Sequence, residues 1–535
     1  MMKTTIVSPA QFLYADDVVK QEQHKISLIS PRNSFAACQI LVDGCEKGLP
    51  VIFGHYPKGP CSLALTVSRI LPVHVELNCG QKMFCAKEGD QPEEYAAKVA
   101  PFLVYDAIGS LPQDAVTDEG VNVFWVSFSV PYDQRPGIYE GEISLAIDEW
   151  GCVFPYRVEV VAAQVPNRPR FSMTTWYNLV TIAQFHDVEF GSDRYFSVLK
   201  EYARLMARSR QNMFILSDQS FSSSGKLGDY RFDFSFTKRM NEVFLEAGLS
   251  RIELQPPIFR KGWESDEFFI NTPDNGHQNV LKPLGYAYLA ELLKAFANFF
   301  RENGWYDKVV CHVSDEPVEE NSSSWRAISS IIRKFMPGVP IIEACQTPEL
   351  LGAIDIWAPA ADEFMKDYKM DAYDFIRKYT CDEKWFYVAG SPTGKYLNRM
   401  LDMELIRNRY IPWAAFRYGF TGYLHWGFNY VMNSKGGYFS PTLLPGDEVW
   451  PNGLPAGDSA IIYVKDKELM SSARLENLRL GVEEFELLAI LAEHDRKLAD
   501  SIAARNVQDF TNYNTNVQEF EKSRQELLRA VSIYF

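Results

Sequence analysis

Up to about residue 167 the apolar positions fall in short alternating runs: "VFWVSFSV" (123–130), "GIYEGEISLAI" (137–147) and "PYRVEVVAA" (155–163), broken by turn signals such as "YDQRPG". Period-two alternation sends successive side chains to opposite faces of a strand. Residues 1–167 are therefore expected to form an all-β module, and strand length and spacing suggest a β-sandwich. The following "QVPNRPR" (164–170) reads as a linker, because its two prolines block regular continuation.

From residue 171 the rhythm changes to strand and helix in turn. Predicted strands are "FSMTTWY" (171–177), "NMFILS" (212–217), "RIELQP" (251–256), "KVVCHVS" (308–314), "PIIEA" (340–344), "IDIWAP" (354–359), "KWFYVAG" (384–390) and "GYLHWGF" (422–428). Between them lie stretches of helical period, such as "RYFSVLKEYARLMARSR" (194–210) and "YAYLAELLKAFANFFREN" (286–303). Eight strands alternating with helices is the number a (β/α)8 TIM-type barrel requires, and this reading assigns it residues 168–500. The fifth connection, "CQTPELLGA", has room only for a stub of helix. A Gly- and Pro-rich excursion (433–458) then precedes an added strand, "SAIIYV" (459–464), and a long helix (472–494). The last segment, 516–535, has helical period, and residues 501–535 are expected to pack on the barrel as a C-terminal helical extension.

Length and charge narrow the function. A chain of 535 residues exceeds one ordinary core and suits two or three domains. Its net charge of -15, with no basic run, argues against nucleic acid and anionic membrane surfaces as partners. No segment has the length of a signal peptide or a membrane span, so a cytoplasmic location is expected, or secretion if a leader has been removed. Nine cysteines, an odd number without C-x-x-C spacing, read as reduced thiols. The histidines form no H-x-H or H-E-x-x-H, and neither a Walker loop nor a G-x-S-x-G elbow occurs, so neither metal nor cofactor is expected.

Chemistry in such a barrel gathers at the C-terminal strand ends. Those ends carry Trp176, Tyr177 and Asn178; Asp218; Gln255; Asp315 and Glu316; Glu343 and Gln346; Trp357; Tyr387 and Ser391; and Trp426 with Asn429. Only one end presents two adjacent acids, in "HVSDEP". One reading makes "SDEP" an ordinary helix start, with Ser or Asp as the N-cap and acids and proline in the first turn. The other makes it a catalytic pair, which requires the strand to break there, since neighbouring side chains otherwise point to opposite faces. Adjacent acids fit poorly to a plan in which acid and nucleophile flank the scissile bond. They suit substrate assistance, where the sugar's 2-acetamido oxygen attacks the anomeric carbon. Asp315 would then hold the acetamide N–H as an anion, and Glu316, its pKa raised, would protonate the leaving oxygen.

The stretches "HVSDEP" (312–317), "WFYVAGSP" (385–392), "RYGFTGYLHWGFNY" (417–430) and "AGDSAIIYV" through "RLENLRLGVEEFELL" (456–488) resemble the family 123 glycoside hydrolases. The resemblance implies an N-terminal β-sandwich, a (β/α)8 catalytic domain and retaining, substrate-assisted β-N-acetylgalactosaminidase activity. Relatives of this kind act on non-reducing terminal GalNAc of glycosphingolipid-type glycans. Their Asp-Glu pair falls on Asp315 and Glu316, and no metal or organic cofactor is implied. Tyr387 is a further catalytic candidate, for the acetamide oxygen, with barrel filling as the alternative. Trp357 and Trp426 are candidate walls for the sugar, with core packing as the alternative; Trp176, Asn178 and Asn429 are further substrate-binding candidates. His312 is either a strand histidine or part of the site, and His425 either binds hydroxyls or is structural. Three rivals stay open: a same-fold hydrolase of another β-N-acetylhexosaminide or unrelated glycoside, a non-catalytic glycan-binding protein, and an interaction role for the acidic surface.

Overall fold

The structure is a computed structural model that describes residues 2–59, 62–345, 347–365, 383–444, 450 and 452–535. Gln346, Cys61 and Cys381 lie outside the described residues. The chain is a multidomain α/β protein with a sheet-rich N-terminal region. Its contacts group Met1–Phe171, Thr393–Tyr418 and Asn429–Phe535 into one compact unit, and Ser172–Pro392 with Gly419–Phe428 into a second. Among the described residues no helix is long and apolar enough to cross a membrane.

The first unit holds two large sheets. A seven-stranded sheet runs in the order Lys3–Val7, Ser34–Cys45, Gly120–Val130, Ala64–Val75, Phe102–Ser110, Glu468–Ser472, Tyr463–Lys465. A four-stranded sheet runs Ile26–Arg32, Trp150–Gln164, Gly137–Ile147, Val51–Lys58. Alternation in the sequence becomes alternation in burial: Tyr139, Ile143, Leu145 and Ile147 point inward from one strand of the smaller sheet. They pack with Phe154, Tyr156 and Val158 from the next strand, and with Ile40, Phe124, Val126 and Phe128 from the larger sheet. The added strand expected at 459–464 is a short hairpin, turned at Asp466 and Lys467, both with positive φ, that extends the larger sheet. Ser472 then caps the helix Ala473–His494 by accepting from the Leu475 N–H. Two further helices follow, Arg496–Asn506 and Val517–Val531.

In the second unit each of the eight predicted strands forms, shortened to its buried centre. Met213–Leu216, Arg251–Leu254, Val309–His312, Ile341–Glu343 and Ile356–Trp357 make one sheet in that order, all parallel. Ser172–Thr175, Gly422–His425 and Trp385–Tyr387 make another, also parallel. Parallel bridges from Trp357 to Lys384 and from Ala360 to Tyr387 run from one sheet to the other. Intervening helices include Asp193–Arg208, Ser235–Ala247, Pro283–Glu302 and Ser322–Phe335. Only the short turn Pro348–Leu350 follows the fifth strand, as the length of that connection requires. Two excursions were not foreseen: a hairpin, Ser222–Lys226 with Asp229–Asp233, and a three-stranded antiparallel insert, Ile258–Arg260, Phe268–Thr272 and Gly276–Asn279.

Candidate active site

Three neighbouring parallel strands of the second unit each carry one ionisable side chain near the C-terminal end: Glu253, His312 and Glu343, all fully buried. They converge. His312 Nδ1 lies 3.6 Å from Glu253 Oε1, while Nε2 lies 3.1 Å from Glu343 Oε1 and 3.7 Å from Asp315 Oδ1. Trp176 Nε1 donates to both Glu253 oxygens at 3.1 Å and Thr174 Oγ1 donates to one at 3.0 Å. The Trp176 indole also meets the His312 ring edge-on, centroids 5.1 Å apart. Glu343 Oε2 accepts from the backbone N–H groups of Val313 and Ser314, each at 3.3 Å.

The chain then breaks out of strand geometry. Glu316 has φ +45°, a left-handed conformation that few residues with a Cβ adopt. This resolves the adjacency problem, because the reversal at Glu316 removes the strand's obligation to send Asp315 and Glu316 to opposite faces. Arg260 holds the turn: its Nη2 donates to the Asp315 carbonyl and, at 3.5 Å, to that of Glu316. The Tyr387 hydroxyl donates to Glu316 Oε1. "SDEP" is not a helix start. The next helix begins at Ser322, after a short turn at Glu319–Asn321, and the Val318 N–H is satisfied by Asn321 Oδ1 at 3.0 Å.

Electrostatics follow from crowding acids away from water. Burial pushes the Glu253 carboxyl up to about 7, and Glu343 well above the ordinary range, where Asp315 adds to the rise. Asp315 is also raised well above its usual value, by desolvation and then by the charge of Glu316, with Arg260 opposing. Glu316 is raised by desolvation, against the pull of Tyr387 and Arg260. Burial lowers His312 to about 3, so its ring is neutral at pH 7. Both acids of the pair are thus pushed in the same direction, and as neighbours they titrate together. Ligating atoms of His312, Asp315 and Glu343 lie within 4.8 Å of one another, the one such trio among the described residues with the spacing to hold a cation.

The other predicted residues divide. Trp176 joins the cluster, and its backbone pairs with the eighth strand, its N–H donating to His425 O at 2.9 Å and its carbonyl accepting from Phe428 N at 2.8 Å. His425 is fully buried, with Nδ1 accepting from the Gly427 N–H at 3.0 Å; Trp426 is half-buried. Trp357 is buried and its indole N–H has no acceptor among the described residues. Asn178 is an N-cap: its Oδ1 accepts from the Thr181 N–H at 2.9 Å, so that oxygen is committed to the helix Leu179–His186. Asn429 is buried in the other compact unit, where its backbone bridges to Ala460.

Sequence reasoning placed Glu343 at a strand end without giving it a role, and did not select Glu253 or Arg260. A lone acid inside an otherwise apolar strand, as in "RIEL" and "IIE", is the signal that marks the first two, since burying a carboxyl needs a reason. Nothing local marks Arg260.

Residues 176–491 match the family model for the catalytic domain of glycoside hydrolase 123. A solved family 123 glycoside hydrolase from Clostridium perfringens, studied for the details of glycolipid glycan hydrolysis, is similar over 99% of this chain and 97% of that one, with TM-score 0.75 and 14% identity. A β-galactosidase from Marinomonas ef1 covers 63% of this chain and 62% of its own, at TM-score 0.38 and 11% identity. No curated protein matches the sequence.

Proposed function

The chain belongs to the glycoside hydrolase 123 family and is a glycoside hydrolase, and from that premise we propose that it is a retaining exo-β-N-acetylgalactosaminidase working by substrate assistance. The observation that carries this reading is the left-handed turn at Glu316, which frees two adjacent acids from opposite faces of a strand while Tyr387 donates to one of them. In this reading the acetamide N–H of the bound sugar adds a further donor that favours the Asp315 anion. The acetamide oxygen then attacks the anomeric carbon, the glycosidic C–O bond breaks, and Glu316 delivers its proton to the departing oxygen. Water, deprotonated by Glu316, opens the oxazolinium ion and returns the β-hemiacetal. Tyr387 steadies Glu316 before substrate binds and turns to the acetamide oxygen afterwards.

The glycan of a glycolipid is a suitable substrate class, because the Clostridium perfringens relative was studied for hydrolysis of such glycans. Under the same reading the eight parallel strands are the wall of a (β/α)8 barrel, and the two sheets of the first unit, which share one core, are a sandwich. Proton NMR of a β-GalNAc-terminated oligosaccharide during digestion tests the mechanism. The β-anomer of GalNAc is expected to appear first and mutarotate afterwards; an initial α-anomer would contradict retention.

A further inference from the structure

A residue with a Cβ persists at φ +45° only where its surroundings over-determine the conformation, and the segment 313–318 is held from several sides. Glu343 accepts from the N–H groups of Val313 and Ser314. Trp325 Nε1 donates to the Ser314 carbonyl at 3.2 Å, and Asn321 takes the Val318 N–H at 3.0 Å. Among the described residues, the two carbonyls that flank the strained torsions, those of Asp315 and Glu316, have one side-chain donor between them, the Arg260 Nη2.

Arg260 is itself fixed. Nη1 donates to the Trp263 carbonyl at 2.9 Å, which also accepts from Asn321 Nδ2 at 3.0 Å. Its guanidinium lies 5.3 Å from the Trp263 ring centroid and 5.7 Å from that of the fully buried Phe268. The guanidinium thus ties two places together in one rigid plane, Nη2 to the carbonyls of the turn and Nη1 to the Trp263 carbonyl; a lysine ammonium offers a point charge with no fixed plane.

Building on the proposed reaction, we infer that Arg260 is a positioning residue: beyond the charge it sets beside both carboxyls, it holds the Asp315–Glu316 backbone in the left-handed form that aims them into one site, without touching the sugar. The geometry it maintains matters most in the transition state, when the acetamide and the leaving oxygen must both meet their carboxyls, so its loss should fall on kcat more than on KM.

The test uses the full chain with Arg260→Ala and Arg260→Lys, assayed on 4-nitrophenyl β-GalNAc, with and without guanidinium chloride at low millimolar concentration. Arg260→Ala is expected to lose about 100-fold in kcat, the order associated with a displacement of about 1 Å, with KM moving less than about 3-fold. Guanidinium ion is expected to recover about 10-fold of that loss and to leave Asp315→Asn unimproved. Arg260→Lys, which keeps the charge, is expected to retain under about one tenth of the wild-type kcat. Full activity in Arg260→Lys would show that charge alone is needed, and an Arg260→Ala kcat within about 3-fold of wild type would show that nothing is needed; either overturns the proposal. Hydrogen exchange supplies a readout independent of turnover. In Arg260→Ala the amides of 314–316 and of Val318 are expected to lose protection while those of Val309–His312 keep theirs. Unchanged protection at 314–316 and Val318 overturns the clamp whatever the substrate proves to be. Should the wild-type protein leave the β-GalNAc glycoside intact, the functional reading falls, and the exchange result still decides the role of Arg260.

Discussion

Two buried charge clusters in this molecule obey opposite rules. In the first unit, Glu484 is surrounded by Arg409, Arg524 and the Trp413 indole, which all donate to its carboxylate. Burial would raise this carboxyl, yet Arg409 and then Arg524 hold it below the usual range. In the second unit Glu253, Glu343 and Asp315 crowd one neutral histidine, and the carboxyls are all driven upward. The first arrangement sets its carboxylate between two guanidiniums. The second has more carboxyls than cations, Arg260 facing Asp315, Glu316 and Glu343 together, a condition under which protons or a ligand must settle the charge, and such groups gather where chemistry is done.

Breaking the first cluster should have the largest effect. Glu484→Gln leaves two buried guanidiniums short of a counter-charge and is expected to destabilise the first unit by about 3–5 kcal/mol, read as a fall in its denaturation midpoint. Chemistry comes next. Glu316→Gln and Asp315→Asn are expected to lower kcat about 1,000-fold. For Glu316→Gln the loss should shrink on aryl glycosides with good leaving groups, which need little proton donation. Equal losses on good and poor leaving groups would remove Glu316 from that role.

Smaller effects sharpen the contrast. Because the folded pKa of Glu253 is raised from 4.5 to about 7, the folded state binds its proton more tightly than the unfolded chain. Stability is therefore full below about pH 4.5 and declines as pH rises to about 7, by at most about 3 kcal/mol from this residue. Glu253→Gln should flatten that decline, measured as the pH dependence of the second unit's unfolding, whereas an unchanged slope would place the proton elsewhere. Tyr387→Phe is expected to be mildest, about 10-fold in kcat, because it removes one hydrogen bond and leaves both carboxyls in place.

Much of this was legible in the sequence, for definite reasons. All eight strands of the second unit follow from short apolar runs bounded by turn signals, and the acid pair stands out because two charges end one of those runs. The helix-start reading of "SDEP" failed because local preference cannot register Arg260, whose contacts with the turn are made only once the insert folds back. Asn178 also serves as an N-cap, a use the strand-end reading did not foresee, since an N–H of the first helical turn needs an acceptor. Asn429 sits where the chain passes from one compact unit into the other, a change that no local pattern marks. Glu253 and Glu343 were visible as lone acids in apolar strands, but only register shows that they meet at His312.

The most direct test of the central claim is release of 4-nitrophenol from its β-GalNAc, β-GlcNAc and plain β-galactoside by the wild-type protein and by Asp315→Asn. The account predicts turnover confined to acetamido sugars, greatest for β-GalNAc, and lost in Asp315→Asn. Equal turnover of the plain galactoside, or full activity without the Asp315 carboxylate, would contradict it.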